Sequence, residues 1–124
     1  MARILVVDDE PDILLLHRLN LEDAGHEVLL AADGMKALER IGADQPDCVV
    51  LDVMMPVLDG WGVLEALREL DEPPPVLVVS AKSAEADIEH AHALGAKGYL
   101  AKPFNARTLI DEVAKLLSLA KPAS

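Results

Sequence analysis

An α/β architecture, with five βα units wound into a doubly wound three-layer sandwich around a parallel sheet, is what this sequence of 124 residues predicts. Three observations predict it. Short apolar runs alternate with longer amphipathic ones along the chain. Several of the short runs are apolar throughout, as expected of strands covered on both faces. Between the runs, glycine falls where helices should end and aspartate or asparagine where they should begin.

The elements run in this order. "RILVV" (3–7) reads as the first strand, and Pro11, suited to a first helical position, opens a helix over about 11–24 that Gly25 ends. "EVLLA" (27–31) is the second strand. Asp33-Gly34 precedes a helix over about 35–43, with Gly42 at its end. "CVVL" (48–51) is the third strand, and Asp59-Gly60 opens a helix over about 60–70. "DEPPPV" (71–76) is a stiff turn into the fourth strand, "PVLVVS" (75–80). In the helix over about 84–94, Ala84, Ile88, Ala91 and the turn residue Gly95 share one face. "GYLA" (98–101) is the fifth strand. Asn105 opens the last helix, 105–119, where Leu109, Val113, Leu116 and Leu117 recur at helical spacing.

The bulk numbers bound the function. Hydrophobic residues make up 52% of the chain with one Trp, one Tyr and one Phe, so Leu, Val and Ala fill the core. A net charge of -11 argues against an intrinsic nucleic-acid footprint, which needs a basic face. The single Cys48 cannot form an internal disulfide, which points to a reducing cytoplasm. No apolar run approaches the roughly 18 residues of a membrane helix, and no secretory leader opens the chain. The reading is one domain over 1–120 with a short tail at 121–124, cytoplasmic and away from membranes.

In such a fold, ligands bind beyond the carboxyl ends of the strands. Asp8, Asp9 and Glu10 come after the first strand, Asp52 after the third, Ser80 ends the fourth, and Lys102 comes after the fifth. The second strand delivers only "AADG", consistent with an edge position. Any one of these residues alone reads as a solvated turn; together they gather carboxylates, a hydroxyl and an ammonium on one rim. Carboxylates without His or Cys at ligand spacing make a hard oxygen site suited to Mg²⁺ or Mn²⁺, which also relieves the repulsion among Asp8, Asp9 and Glu10. Metal, lysine, hydroxyl and a nucleophilic carboxylate are the parts that a transferring phosphoryl group needs. Neither GxGxxG nor GxxxxGK[ST] is present, so no nucleotide cradle is expected.

At this point the sequence resembles the receiver domains of two-component response regulators, the CheY-like superfamily. The resemblance runs from Arg3 to about Leu119 and rests on "LVVDDE", "VVLDVMMPVLDG", "VVSA" and "GAKGYLAKPF" in that order. It implies a flavodoxin-like sheet of order 2-1-3-4-5. It implies that Asp52 is the phosphoacceptor, taking a phosphoryl group from a phosphohistidine of a sensor histidine kinase or phosphotransfer protein. Asp9 would ligate Mg²⁺ directly, Asp8 mainly through water, with Asp52 and the Met54 backbone carbonyl as further ligands, and Glu10 would be a flanking acid. Lys102 would pair with the phosphoryl group and Ser80 would move to hydrogen-bond it. Tyr99 would then rotate inward, changing the surface of the fourth helix, fifth strand and fifth helix for partner binding. Pro56, Asp59 and Gly60 would shape the loop after Asp52. Lys102-Pro103 resembles the family's cis peptide, a form found in only about 5–6% of X-Pro bonds in folded proteins. The module would be a signalling domain, assisting only its own phosphorylation and dephosphorylation. Its output would pass to an effector protein or to an output domain absent from this chain. A monomer and a phosphorylation-dependent dimer both stay open.

Ser80 stands where family members often carry Thr, keeping the hydroxyl and losing a methyl. Met54 and Lys82 border the family's path for the hydrolytic water, and an apolar Met54 is expected to slow dephosphorylation. His17, His26, His90 and His92 read as packing or surface residues away from the rim, Cys48 as core, and Trp61 as packing near the active loop. Two alternatives carry a different function. A Mg²⁺-dependent phosphohydrolase of haloacid-dehalogenase type shares the residue kinds, but bears its nucleophile at the first strand in a DxD pattern and usually has a cap. A phosphorylation-independent receiver-like interaction domain typically lacks one of the acids, the acceptor or the lysine, all present here.

Overall fold

The strands carry their core in two alternating sets, so one sheet seals two hydrophobic layers. The computed structural model describes residues 2–55, 58–82 and 84–120. Its elements are β1 (Arg3–Val7), α1 (Pro11–Asp23), β2 (Glu27–Ala31), α2 (Gly34–Asp44), β3 (Cys48–Asp52), α3 (Gly60–Leu67), β4 (Val76–Ser80), α4 (Glu85–Ala93), β5 (Gly98–Ala101) and α5 (Ala106–Ala120). All pairings are parallel, in the order β2-β1-β3-β4-β5, with Leu5 opposite both Leu29 and Val49. The flavodoxin-like order expected from the sequence is the order observed.

Because successive side chains on a strand point to opposite faces, each central strand feeds both layers. Ile4, Val6, Cys48, Val50, Leu77 and Val79 pack with Leu14 and Leu21 of α1 and Leu109, Val113 and Leu116 of α5. Leu5, Val7, Val49, Leu51, Val76 and Val78 pack with residues of α2, α3 and α4. These strand residues are at most 2% exposed, which explains why the sequence reads as unbroken apolar runs.

Most helix signals act as read. Asp33 caps α2 by accepting from the Lys36 amide at 2.8 Å, and Asp59 caps α3 by accepting from the Gly62 amide at 3.0 Å. Asn105 accepts from the Thr108 amide at 2.9 Å, and Pro11 sits at the start of α1. Gly25 and Gly95 end α1 and α4 with φ of 97° and 106°, in the left-handed region that favours glycine. In α4, Ala91 is buried and Ile88 partly so, whereas Ala84 is exposed at the N-cap.

Three departures from the expected boundaries have a clear physical reason. Gly42 lies inside α2, and the left-handed C-cap is Gln45, at φ 47°. The helix α3 stops at Leu67 rather than 70: Glu69 and Leu70 donate to carbonyls three residues back, a tightened turn entering the proline segment. The strand β4 starts at Val76, because Pro75 has no amide, although its carbonyl accepts from Val49 at 3.0 Å.

The position of Gly42 is testable. It is exposed, with nothing within 4 Å of where a Cβ would stand. Gly42→Ala should therefore stabilise the chain by about 0.5–1 kcal/mol in urea unfolding, as for any solvated mid-helix glycine. A left-handed cap at Gly42 would make the same change destabilising.

Candidate functional site

The rim is built by strands that stop together. Ser80, the last residue of β4, is in register with Ala101 of β5, and Asp52, the last of β3, with Val79 of β4. Asp8 and Lys102 each stand one residue beyond a strand end. The Asp8 amide donates to the Ala31 carbonyl at 3.2 Å, and the Lys102 amide to the Ser80 carbonyl at 2.8 Å, so each is held by its neighbouring strand.

Asp8, Asp52 and Ser80 are buried, at 1%, 5% and 0% exposed. Lys102 Nζ reaches between the two acids, 3.3 Å from Asp52 Oδ2 and 3.5 Å from Asp8 Oδ2. Asp52 Oδ1 accepts from the Met54 amide at 3.0 Å, and Asp8 Oδ1 from the Glu10 amide at 2.9 Å. Asp8 Oδ2 is buried and, beyond its 3.5 Å ion pair with Lys102, accepts no hydrogen bond from any described residue. Burial is the main reason the Asp8 carboxyl is pushed up to about 6, with the negative Asp52 beside it adding to the shift. Burial alone would lower Lys102, but Asp52 and Asp8 more than offset it and hold the ammonium above its usual 10.5.

These features fit a hard cation. Asp8, Asp9 and Glu10 each bring one carboxylate oxygen to within 4.8 Å of the others, Asp9 and Glu10 being exposed. A cation at that mouth would take a carboxylate oxygen of Asp8 and offset the negative charge that Lys102 alone leaves. Glu10, a flanking acid on the sequence reading, has its carboxylate brought into the cluster by the fold. The only sequence signal for this is its adjacency to Asp8 and Asp9.

Around this centre stand the remaining expected residues. Gly60 donates to the Val53 carbonyl at 3.0 Å, and a Cβ on it would collide with Val53 and the Asp52 backbone, so glycine is required beside the acid. Pro56 lies outside the described residues. Lys102-Pro103 is cis, as the family resemblance implied. The Met54 side chain is 56% exposed and, with Asp9, Val53, Asp59, Trp61 and Lys82, lines an open groove beside the rim. Ser80 and Tyr99 are linked through one residue that sequence reasoning assigns only to the water path. The Lys82 amide donates to Ser80 Oγ at 3.0 Å, and the Lys82 carbonyl accepts from the Tyr99 hydroxyl at 2.7 Å. Tyr99 is half-buried and packs against the layer of α2, α3 and α4.

The histidines are partly corrected. His90 packs on Trp61, ring centroids 4.6 Å apart, and His92 Nδ1 lies 3.0 Å from the Ala96 carbonyl. His17, expected to be remote from the rim, is buried at 5% exposure and stacks on Phe104, two residues beyond Lys102. Its place between Leu14 and Leu21 on the inner stripe of α1 is the available signal.

Comparison with known proteins gives consistent results. The chain matches the family model of the response regulator receiver domain over residues 4–114. The alkaline phosphatase synthesis transcriptional regulatory protein PhoP of Bacillus subtilis (strain 168) is 42% identical over 125 residues, covering 98% of this chain and 52% of PhoP. The transcriptional regulatory protein PrrA of Mycobacterium tuberculosis is 44% identical over 115 residues, covering 93% of this chain and 49% of PrrA. The chain thus spans about half the length of these curated relatives. Among solved structures, the receiver domain of the Francisella response regulator 1452 aligns with a TM-score of 0.93 at 33% identity, covering 98% of this chain and all of that one. Chemotaxis response regulator CheY4 of Vibrio cholerae aligns with a TM-score of 0.88 at 35% identity, over 94% of this chain and 98% of CheY4.

The Asp8 environment sets a pH dependence. A raised folded-state pKa means that between about 3.8 and 6 the folded chain holds a proton that the unfolded chain has released. In metal chelator, this site should therefore remove stability as pH rises through that window, by about 3 kcal/mol at most. Asp8→Asn should abolish that loss. Urea unfolding of both proteins from pH 4 to 7.5 should show the mutant gaining on the native chain as pH rises; parallel curves would contradict the assignment.

Proposed function

This chain belongs to the response regulator receiver domain family, and from that premise we propose that Asp52 is its phosphoacceptor. The observation that carries the reading is the placement of Lys102 Nζ between Asp52 Oδ2 and Asp8 Oδ2 at the ends of parallel strands. A carboxylate held by the Met54 amide through one oxygen presents the other to the Lys102 ammonium. In the proposed step, Asp52 forms an O–P bond as the N–P bond of a donor phosphohistidine breaks and its electron pair returns to the imidazole. Lys102 then pairs with an oxygen of the bound group, having lost half of its carboxylate partnership. Mg²⁺, or Mn²⁺, would offset phosphoryl charge from a site made by Asp8 and Asp9, with Asp52 and the Met54 carbonyl as further ligands and Glu10 close by.

The signal leaves through Ser80. Its hydroxyl accepts from Lys82 and can donate to a phosphoryl oxygen, and movement toward that oxygen pulls on the backbone that holds Tyr99. The expected consequence is a shift in the α4-β5-α5 surface, driven by the differential contacts that the phosphoryl group supplies. A sensor histidine kinase or phosphotransfer protein is the proposed donor. An effector protein, or an output domain in a longer chain, is the proposed recipient. Among the described residues no helix is long and apolar enough to cross a membrane.

The test is incubation with Mg²⁺ and acetyl phosphate, followed by intact mass. A phosphate-sized gain that Asp52→Asn abolishes is expected; sustained turnover of a phosphate ester would favour a hydrolase, and no adduct a phosphorylation-independent domain. With Met54 exposed at the groove, Met54→Asn should shorten the lifetime of the adduct by admitting water. An unchanged decay rate would remove Met54 from that role.

A further inference from the structure

Phe104 stands at the far end of the turn that carries Lys102, packed on the layer of α1 and α5 and stacked on His17. The near end is fixed by the Lys102 amide, which donates to the Ser80 carbonyl at 2.8 Å. Pro103, between them, is exposed. The half-buried Phe104 lies against the layer of α1 and α5, its ring stacked on the His17 imidazole with centroids 5.6 Å apart and planes 22° apart. Neither His17 nitrogen has a hydrogen-bond partner among the described residues, although both are buried. A leucine would fill this place on the α1 stripe without leaving two ring nitrogens unpartnered, a cost that calls for an explanation. A flat ring there offers what leucine cannot: a face parallel to Phe104.

We propose that His17 is a positioning residue for phosphoryl acceptance: in its neutral form it stacks on Phe104 and thereby fixes the turn that aims Lys102 at Asp52. The inference rests on the phosphoacceptor reading of Asp52. It adds α1, which contributes no ligand through His17, to the elements that set the Lys102–Asp52 geometry. A protonated imidazole would need water and would bring a second cation toward Lys102, so it would leave the stack. Burial first, and Lys102 second, hold the His17 imidazole below its ordinary 6.5, while Asp52 acts weakly the other way. The neutral, stacked form is thus the one present at neutral pH.

The experiment compares the native chain with His17→Leu and His17→Phe. Rates of adduct formation from acetyl phosphate are measured at saturating Mg²⁺, with urea unfolding and the hydrogen-exchange rate of the Lys102 amide. His17→Leu should keep or gain stability, yet form adduct roughly tenfold more slowly at saturating donor, as for a displaced reacting group. Its Lys102 amide should exchange faster. His17→Phe, which restores a stacking ring, should recover the native rate and the native exchange. As pH is lowered below the ordinary imidazole range, the ratio of native to His17→Phe rates should fall, because only the native ring titrates while Asp8 titrates in both. A stable His17→Leu protein with native rate and native Lys102 exchange would overturn the proposal. So would loss in both variants with no recovery in His17→Phe. If the native chain itself forms no adduct, the phosphoacceptor reading fails; the exchange comparison then still decides whether His17 holds the turn.

Discussion

Two buried carboxylates share one ammonium, and the rest of the structure is arranged to tolerate that imbalance. Asp8 and Asp52 stand side by side with Lys102 Nζ between them, and Asp9 and Glu10 bring further carboxylates to Asp8. Like charges in a poorly solvated place raise each other's affinity for protons. The burden falls unevenly. Asp52 gives one oxygen to the Met54 amide and the other to Lys102, whereas Asp8 keeps an oxygen without any hydrogen bond. Asp8 is the residue pushed up to about 6. Such a site would favour a cation, whose charge would in turn favour a further anionic group. The strand core beneath, almost wholly excluded from solvent, supplies the rigidity that holds like charges in place.

Two tethers connect this centre to the surfaces around it. On one side, Ser80 reaches Tyr99 through the Lys82 backbone, joining the rim to β5 and the loop before α4. On the other, Lys102 reaches α1 through Phe104 and His17. Each joins a short polar or stacking contact at the strand ends to a ring packed on one hydrophobic layer, Tyr99 on that of α2, α3 and α4 and Phe104 on that of α1 and α5.

Much of this is legible in the sequence because parallel strands buried on both faces leave unbroken apolar runs, and because such strands end on one rim. Asp8, Asp52, Ser80 and Lys102 are placed simply by the polar residue at the carboxyl end of each run. Caps at Asp33, Asp59 and Asn105 are legible for a similarly local reason: one side chain satisfies one amide three residues on. Legibility is lost where several local solutions compete. A glycine near a helix end can be a cap or simply a weak helical residue; Gly42 is the latter, and Gln45 takes the left-handed turn at some steric cost. The early end of α3 depends on how its last turn tightens before three prolines, which periodicity does not encode. His17 is easily misjudged because a polar residue on an apolar stripe reads as an exception at the surface, when its partner, Phe104, is 87 positions away in the chain. Backbone links such as that of Lys82 carry no residue-type signal at all.

Everything at the rim turns on Asp8, a buried carboxylate that Lys102 alone under-compensates. Side-chain carboxyl ¹³C NMR of the chain, followed against pH with and without Mg²⁺, tests this most directly. In chelator, the Asp8 carboxyl should titrate near pH 6, well above its ordinary 3.8, and Mg²⁺ should shift that titration to lower pH. An Asp8 carboxyl that titrates at the ordinary value in chelator, and does not move when Mg²⁺ is added, would contradict the account.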